Sequence, residues 1–541
     1  MTLLLGALTL VLACLVARRL PPSTTERCAA LLDQRWTAPL LGVVTLVGLC
    51  WVGGGALRMT PISTDENAYL LEARLVAQGR VVGAPAPIPD FFEQPWVMVT
   101  PATYGKYPPG QALTLAPGVA LGLPWLMPAL LVVLMGTLVF ALARRLIGGG
   151  GALLVWAGWT LTPMVIAWQS SYFSEITTGA MWLVTLWAAW RWSDDGGGRW
   201  LSVAALALGW AAITRPYTAL LLALPLAIAL LPAIRRRRAW RDLVQALAVG
   251  TVIVAILPAW NVATTGAWDV SGVARYTATY LPWDRLGFAI DSTPPLRAPA
   301  ADFAPIAANL LRIHHAHTLT ELPATLAART LWVMRMTWTG WRALLIPFAL
   351  LGLGVVGRRG WIAVGSAAVL LLGYLVWGHD PHWTLYYAET TPALFLAAGA
   401  GIAWCAKRAW GALGGEVLAT AVLLALPVLI VLSVRDAAGY RSIRQARAGA
   451  TDAFEALIRS EPGRTIWFVR EAPDPTGQAV LIANDPDWER APQWIVHDLG
   501  PRNAELLRFA PDRAAWLVDR VSGRVSPISR PVPGETPIRH Q

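Results

Sequence analysis

Residues 64–80 read TDENAYLLEARLVAQGR and residues 104–110 read YGKYPPG, with a Pro-rich stretch containing FFEQPW (91–96) between them. Apolar segments at 38–57 and 112–145 flank this loop. Each is long enough to cross a bilayer, which takes about 20 predominantly apolar residues. One loop of a membrane protein therefore holds two adjacent carboxylates, Asp65 and Glu66, a third at Glu93, and Lys106. The chain has only two lysines among its 44 basic residues, and the other, Lys407, falls in a predicted cytoplasmic turn. Such a set of ionisable groups at one membrane face points to chemistry there, with the rest of the chain as scaffold.

Working outward, the composition agrees with this frame. Hydrophobic residues make up 55% of the 541 positions and charged residues 14%, against roughly 25% charged in a soluble domain. The chain reads as a polytopic α-helical membrane protein. About twelve crossings are expected, at 2–17, 38–57, 112–145 (with a possible break at Pro124), 150–168, 174–192, 200–213, 216–232, 243–260, 343–357, 361–378, 384–405 and 414–434. Arg18-Arg19, Arg144-Arg145, Arg191 with Arg199, Arg235 to Arg238, Arg358-Arg359 and Lys407-Arg408 occupy every second connection, as the positive-inside rule demands. The net charge of +11 is thus an orientation signal, and nucleic acid is not an expected partner. Loops 58–111 and 261–342 and both termini fall on the outer side.

Cys14, Cys28, Cys50 and Cys405 show no CxxC spacing, which argues against a disulfide framework or a zinc site. Segment 2–17 lacks a preceding basic region and a small-residue cleavage site, so it reads as a retained helix. The preference for Arg over Lys, with abundant Ala and Gly, suggests a bacterial source. Three regions follow: an extra N-terminal helix and cytoplasmic loop (1–37), a membrane core (38–435), and a polar segment (436–541). The last contains a helix-like run near 443–460 and strand-like TIWFV (465–469), QWIVH (493–497) and AWLVD (515–519). It reads as a small soluble α/β domain outside the membrane. Residues 66–78 carry an apolar stripe, Ala68, Leu71, Leu75 and Val76, expected for a short helix along the membrane surface.

The chemistry-bearing residues each allow two readings. Ser63 to Glu66 is an S-x-x-E capping box, and acids in a first turn complement the helix dipole. A carboxylate held rigidly this way can equally act as a general base. Lys106 and Arg215 lie on the outer side, where orientation signals do not put cations. Each is either a solvated or snorkelling charge or a counter-charge for an anion. Tyr107 to Gly110 reads as a rigid turn into the next helix or as a direct contact. Glu175 begins a crossing after Ser174, where a carboxylate is costly unless paired. His314, His315 and His317 read as a polar loop without accompanying carboxylates. His382, Tyr386 and Tyr387 sit at the outer interface, as an aromatic belt or as the lining of a pocket. Asn484 to Asp487 reads as a turn.

The DE pair with KYPPG, then SYFSE (171–175), TRPYTA (214–219), LGF (286–288) and YYAETTPAL (386–394), resembles the GT-C glycosyltransferases. The likeness is to the bacterial relatives of the protein O-mannosyltransferases (glycosyltransferase family 39, PMT-like). It spans about 38–405 in the family's order, leaving the first helix and the C-terminal domain outside. The resemblance implies a sugar donor on a polyprenyl phosphate and an acceptor hydroxyl on a glycan, lipid or protein. Asp65 becomes the catalytic base and Glu66 its partner, while Lys106 and Arg215 bind the donor phosphate. Glu93, Tyr107, Glu175, His382 and Tyr387 become substrate contacts. No DxD motif stands in the second external loop, so no cofactor is expected and a metal-independent mechanism fits better. The implied location is a bacterial inner membrane, with the site and the C-terminal domain extracytoplasmic. Two other readings stay open: an O-antigen ligase- or polymerase-like enzyme using a diphosphate-linked lipid, and a transporter or flippase.

Overall fold

Within hydrocarbon, a backbone that cannot bond to water must bond to itself, and an uncharged run does so as a helix. The computed structural model describes residues 1–52, 60–291, 293–300, 303–471 and 481–528. Among the described residues, six helical stretches are long and apolar enough to span a bilayer: Thr2–Arg19, Leu126–Thr160, Pro216–Arg237, Trp240–Thr265, Gly357–Val376 and Thr384–Ser460. The pair Leu322–Thr337 and Gly340–Val355, bent by 115°, makes a seventh if counted as one span. Thr37–Trp51 and Gly198–Thr214 are shorter apolar helices. The chain is a multi-pass helical membrane protein, although fewer segments meet the span criteria than the twelve expected.

The differences from the expected crossings have local causes. Segment 112–145 divides into Pro109–Ala120 and the start of Leu126–Thr160, with Gly122 at φ 71° and Pro124 in the break. Leu126–Thr160 itself bends at Gly148 (φ 75°, ψ 171°). The crossing at 414–434 does not end there. It runs into the expected polar helix as one element, Gly414–Ser460, of 47 residues, about 70 Å long at 1.5 Å per residue. Hydropathy falls at Arg435 but helix propensity does not. The domain boundary expected at 435/436 therefore lies inside this stem helix.

One end of the bundle gathers the arginine turns. Arg145 and Arg359 both pair with Asp194, Arg237 donates to the Trp192 carbonyl (2.9 Å), and Arg144 donates to the Leu32 carbonyl (2.9 Å). A four-stranded sheet follows the stem, in the order Gln493–His497, Thr465–Arg470, Ala514–Asp519, Arg524–Pro527. The first three strands are parallel and the last antiparallel.

One side of this sheet forms a core with the end of the stem helix, through Phe454, Trp467, Val469, Ile482 and Val518, and the other side packs on the first loop. Phe91 and Phe92, both fully buried, share one cluster with Leu71, Ile466, Phe468, Trp488, Trp494 and Leu506. The Phe92 ring lies 4.7 Å from that of Trp488 and 5.3 Å from that of Trp494. Burying each Phe contributes about 1.5–3 kcal/mol in area terms. The C-terminal sheet and the first loop are thus one packed unit.

The helix expected to lie along the surface is Thr64–Ala77, and it is buried on most sides, with nine of its 14 residues inside. Tyr69 and Leu70 pack beside Leu115 and Tyr172, while Leu71 and Leu75 join the cluster under the sheet. Ala68, Leu71 and Leu75 of the stripe face the C-terminal sheet where a membrane surface was expected. The stripe could not reveal that a second apolar layer covers the opposite side.

Candidate active site

The Thr64–Ala77 helix begins with a closed capping box. Ser63 Oγ accepts from the Glu66 N–H (3.3 Å), and Glu66 accepts from the Ile62 N–H (2.8 Å) and the Ser63 hydroxyl (3.3 Å). Its second carboxylate oxygen accepts from the Tyr172 N–H at 3.1 Å. Burial pushes the Glu66 carboxyl up, and Arg444 of the stem helix is first among the groups drawing it back. Glu66 is therefore a fastener that joins the loop to SYFSE. Asp65, one residue earlier, remains half-exposed, and the Tyr107 phenol donates to its Oδ1 at 2.5 Å.

From that bond a connected line of groups leads across the site. The Tyr107 and Tyr69 ring centroids are 4.3 Å apart, the Tyr69 phenol donates to Ser174 Oγ (3.0 Å), and the Ser174 hydroxyl donates to Glu175 (3.3 Å). Glu175 pairs with Arg215, whose guanidinium lies 3.6 Å from Glu389. Ser174 is the first residue of its helix, with Phe173 at the cap position, so it bridges tyrosine to carboxylate instead of capping. Gly110 makes the closure possible. A Cβ there would stand 2.1 Å from Thr214 Oγ1 and 2.7 Å from the Thr214 nitrogen, so YPPG meets the TRP turn backbone to backbone.

Lys106 is 9% exposed, and its Nζ lies 3.7 Å from the Trp96 ring centroid and 5.5 Å from that of Tyr276. Cation–π contacts of this kind strengthen when desolvated. Burial lowers the lysine's pKa, while Asp284 and then Asp65 raise it. Trp96 has φ 67°, a region a bulky residue seldom adopts. Its N–H donates to the Tyr276 hydroxyl (3.0 Å), its indole N–H donates to Thr64 (2.9 Å), and its carbonyl accepts the Lys106 N–H (2.8 Å). Three hydrogen bonds thus hold an unfavourable backbone conformation that sets the indole under the ammonium.

The remaining expected site residues divide. Tyr387 turns away: its hydroxyl meets His379 Nε2 at 3.0 Å, behind a corner held by buried Arg329, which donates to the carbonyls of Tyr374 (2.6 Å) and Trp377 (2.7 Å). Tyr386 faces the site, with the Arg215 guanidinium 5.6 Å from its ring and Asp284 and Asp65 within electrostatic reach. His382 stays outside this group, exposed, bonded to Asp380 and packed on Trp332. Glu93 makes its own cluster, paired with Arg297 and 3.2 Å from the Tyr280 hydroxyl. Burial raises its carboxyl and Arg297 lowers it. Its backbone carbonyl sits 2.6 Å from His497 of the sheet.

The histidines at 314–317 correct the polar-loop expectation. They end a helix, Ala304–Ala316, in which His314 is fully buried with its Nε2 3.0 Å from Asp284. Among the described residues, no group of three or more His, Cys, Asp or Glu side chains could hold a metal ion. Sequence reasoning missed Tyr69, Asp284, Glu389 and Arg444 as members of the site. Glu389 was in view within YYAETTPAL and Tyr69 within TDENAYLLEARLVAQGR, but Asp284 and Arg444 carried no local signal.

The family model for dolichyl-phosphate-mannose-protein mannosyltransferase matches residues 122–261. That segment includes Glu175 and Arg215 and begins after the loop of Asp65 and Lys106. The matched segment falls within the span over which the sequence resembles the PMT-like enzymes. Among solved structures, ArnT from Cupriavidus metallidurans in the apo state is similar over 89% of this chain and 92% of its own, at 16% identity and a TM-score of 0.52. The same protein bound to undecaprenyl phosphate is similar over 88% and 92%, at 14% identity and a TM-score of 0.51. At that identity the likeness is one of fold. A comparison with curated proteins finds no match.

Proposed function

We propose that this chain transfers a sugar from a polyprenyl-phosphate donor to an acceptor hydroxyl at the extracytoplasmic face, with Asp65 as general base. The observation that carries the reading is that Tyr107 bonds the half-buried Asp65 carboxylate through its hydroxyl while the buried Lys106 ammonium lies 5.4 Å from its ring. Asp65 Oδ1 is occupied by Tyr107, which leaves Oδ2 for the acceptor proton. As that proton moves to Asp65, the acceptor oxygen bonds to the anomeric carbon and the carbon–oxygen bond to the phosphate breaks. A phosphodiester with one negative charge becomes a phosphomonoester with up to two, so one fixed cation at the leaving group stabilises the transition state.

Lys106 supplies that cation. Arg215, already matched against two carboxylates, backs the same wall and fixes Glu175. The ArnT structure that holds undecaprenyl phosphate supports a lipid-phosphate donor for this fold.

The test is transfer from a labelled polyprenyl-phosphate sugar by the purified, reconstituted protein. Asp65→Asn is expected to lower turnover about 10²–10⁴-fold, with thermal unfolding unchanged. Undiminished transfer by a folded Asp65→Asn protein removes the base assignment. Transfer from a diphosphate-linked donor alone would move the protein to the ligase-like class.

A further inference from the structure

The register of a short hairpin puts Trp96 opposite Lys106. Val97 pairs with Gly105 and Met98 with Tyr104, and the next pair outward is closed by the Lys106 N–H, which donates to the Trp96 carbonyl at 2.8 Å. The lysine side chain then lies back over the indole. Its Nζ is 3.7 Å from the Trp96 ring centroid, 5.4 Å from that of Tyr107 and 5.5 Å from that of Tyr276. Among the described residues the ammonium makes no hydrogen bond and no ion pair. Three aromatic rings hold it, and its own donors are unused.

The second long loop braces this arrangement. Gly272 and Tyr276 stand four residues apart on the Gly272–Tyr280 helix, and so share one face of it. A Cβ on Gly272 would lie 2.9 Å from the Lys106 carbonyl oxygen, so the helix begins directly against the lysine's backbone. One turn later the Tyr276 hydroxyl accepts the Trp96 N–H at 3.0 Å, with the two rings 5.7 Å apart. Phe303 meets the same indole at 5.0 Å and nearly at right angles, while Thr64 accepts its ring N–H at 2.9 Å. The left-handed backbone of Trp96 (φ 67°) is kept by these partners, and with it the position of the indole.

A buried ammonium ordinarily needs a counter-charge. A carboxylate in contact would supply one, but it would also occupy the N–H donors and compete with an incoming phosphate. A ring face attracts a cation through its quadrupole while carrying no net charge. We propose that Trp96 is a positioning residue, braced by Tyr276, whose indole face holds the Lys106 ammonium in place of a carboxylate and so leaves its donors to the lipid phosphate. This rests on the phosphate-binding role of Lys106 proposed above.

The experiment measures binding of radiolabelled undecaprenyl phosphate and of undecaprenol, its neutral alcohol, to the full-length protein in detergent at neutral pH. The ratio of the two affinities reports the contribution of the phosphate alone. Trp96→Leu should lower that ratio about 10-fold, and Trp96→Phe, which keeps a ring face, about 3-fold. Tyr276→Phe keeps its ring but cannot accept the Trp96 N–H as a hydroxyl does, and should also lower the ratio about 3-fold. Undecaprenol binding should be unchanged in all three, whereas a merely structural role would weaken both ligands together. Lys106→Met should abolish the preference for phosphate, and adding Trp96→Leu to it should change nothing further. A wild-type ratio in Trp96→Leu, equal weakening of both lipids, or a further loss in the double variant overturns the proposal. If Trp96→Leu does not fold, a wild-type ratio in Tyr276→Phe overturns it instead. Lys106→Met with a wild-type ratio would remove the phosphate site itself, a result distinct from loss of the ratio in Lys106→Met but not in Trp96→Leu, which would refute the role of the indole only.

Discussion

Gly110→Ala tests the geometry on which the site depends. The added methyl would stand 2.1 Å from Thr214 Oγ1, 2.7 Å from its nitrogen and 2.8 Å from the Ile213 carbonyl carbon. Two of those three atoms are backbone, so no rotamer change relieves the contact. The Pro109–Ala120 helix must move away from the TRP turn by about 1 Å to restore normal separation. Overpacking of this kind costs about 1–3 kcal/mol of stability.

The functional cost is larger. Lys106 and Tyr107 directly precede this helix, and a misplacement of about 1 Å in a catalytic array can cost about 100-fold in rate. Gly365→Ala serves as the control, since its Cβ would meet nothing within 4 Å in the Gly357–Gly373 helix. That substitution should be neutral or stabilising by up to about 1 kcal/mol. Steady-state transfer and thermal unfolding of both variants in the same detergent give the comparison. Gly110→Ala with wild-type turnover and an unchanged unfolding midpoint would refute the claim that this backbone contact sets the site.

Two further predictions follow from particular side chains. Glu72 is fully buried against Gly105, and burial pushes its carboxyl well above its ordinary value of 4.5. A raised acid binds its proton more tightly folded than unfolded, so this group's contribution to stability is full below about 4.5 and is lost as pH rises through the folded value. Glu72→Gln should flatten the dependence of the unfolding midpoint on pH between about 5 and 8 and raise it at the upper end. Of the adjacent tyrosines, Tyr386→Phe should weaken donor-lipid binding with little change in stability. Tyr387→Phe should cost about 1 kcal/mol of stability through its bond to His379 and leave binding unchanged; the two read the other way round would reverse their assignment.

The legible part of the site was the part encoded by neighbours in sequence. Ser63 and Glu66 are three residues apart, and the capping box forms where that spacing predicts. Pro216 starts the helix after Arg215, and Pro109 starts the one after Tyr107. The roles within each group were less legible. Asp65 and Glu66 look alike on paper, yet one is half-exposed and the other sealed by three donors. Tyr386 and Tyr387 are equally indistinct, and a one-residue step on a 3₁₀ turn aims them at different neighbours. His314 read as loop because the apolar positions around it, Ile306, Leu310 and Leu311, are few, and the buried side is supplied by Trp377 and Asp284 from elsewhere.

The amino-acid sequence by itself determined that apolar runs become helices in a membrane, that arginine turns alternate with acidic and aromatic loops, and that Asp65 begins a capped helix. These follow from transfer free energy and from bonds reaching only a few residues along the chain. Only the tertiary structure decided that the Tyr172 N–H comes to Glu66, that the C-terminal sheet closes over Phe91 and Phe92, and that Tyr276 comes to Trp96 across 180 residues of chain. Contacts of that range depend on how whole helices pack, and no local pattern of residues records which charges will meet when they do.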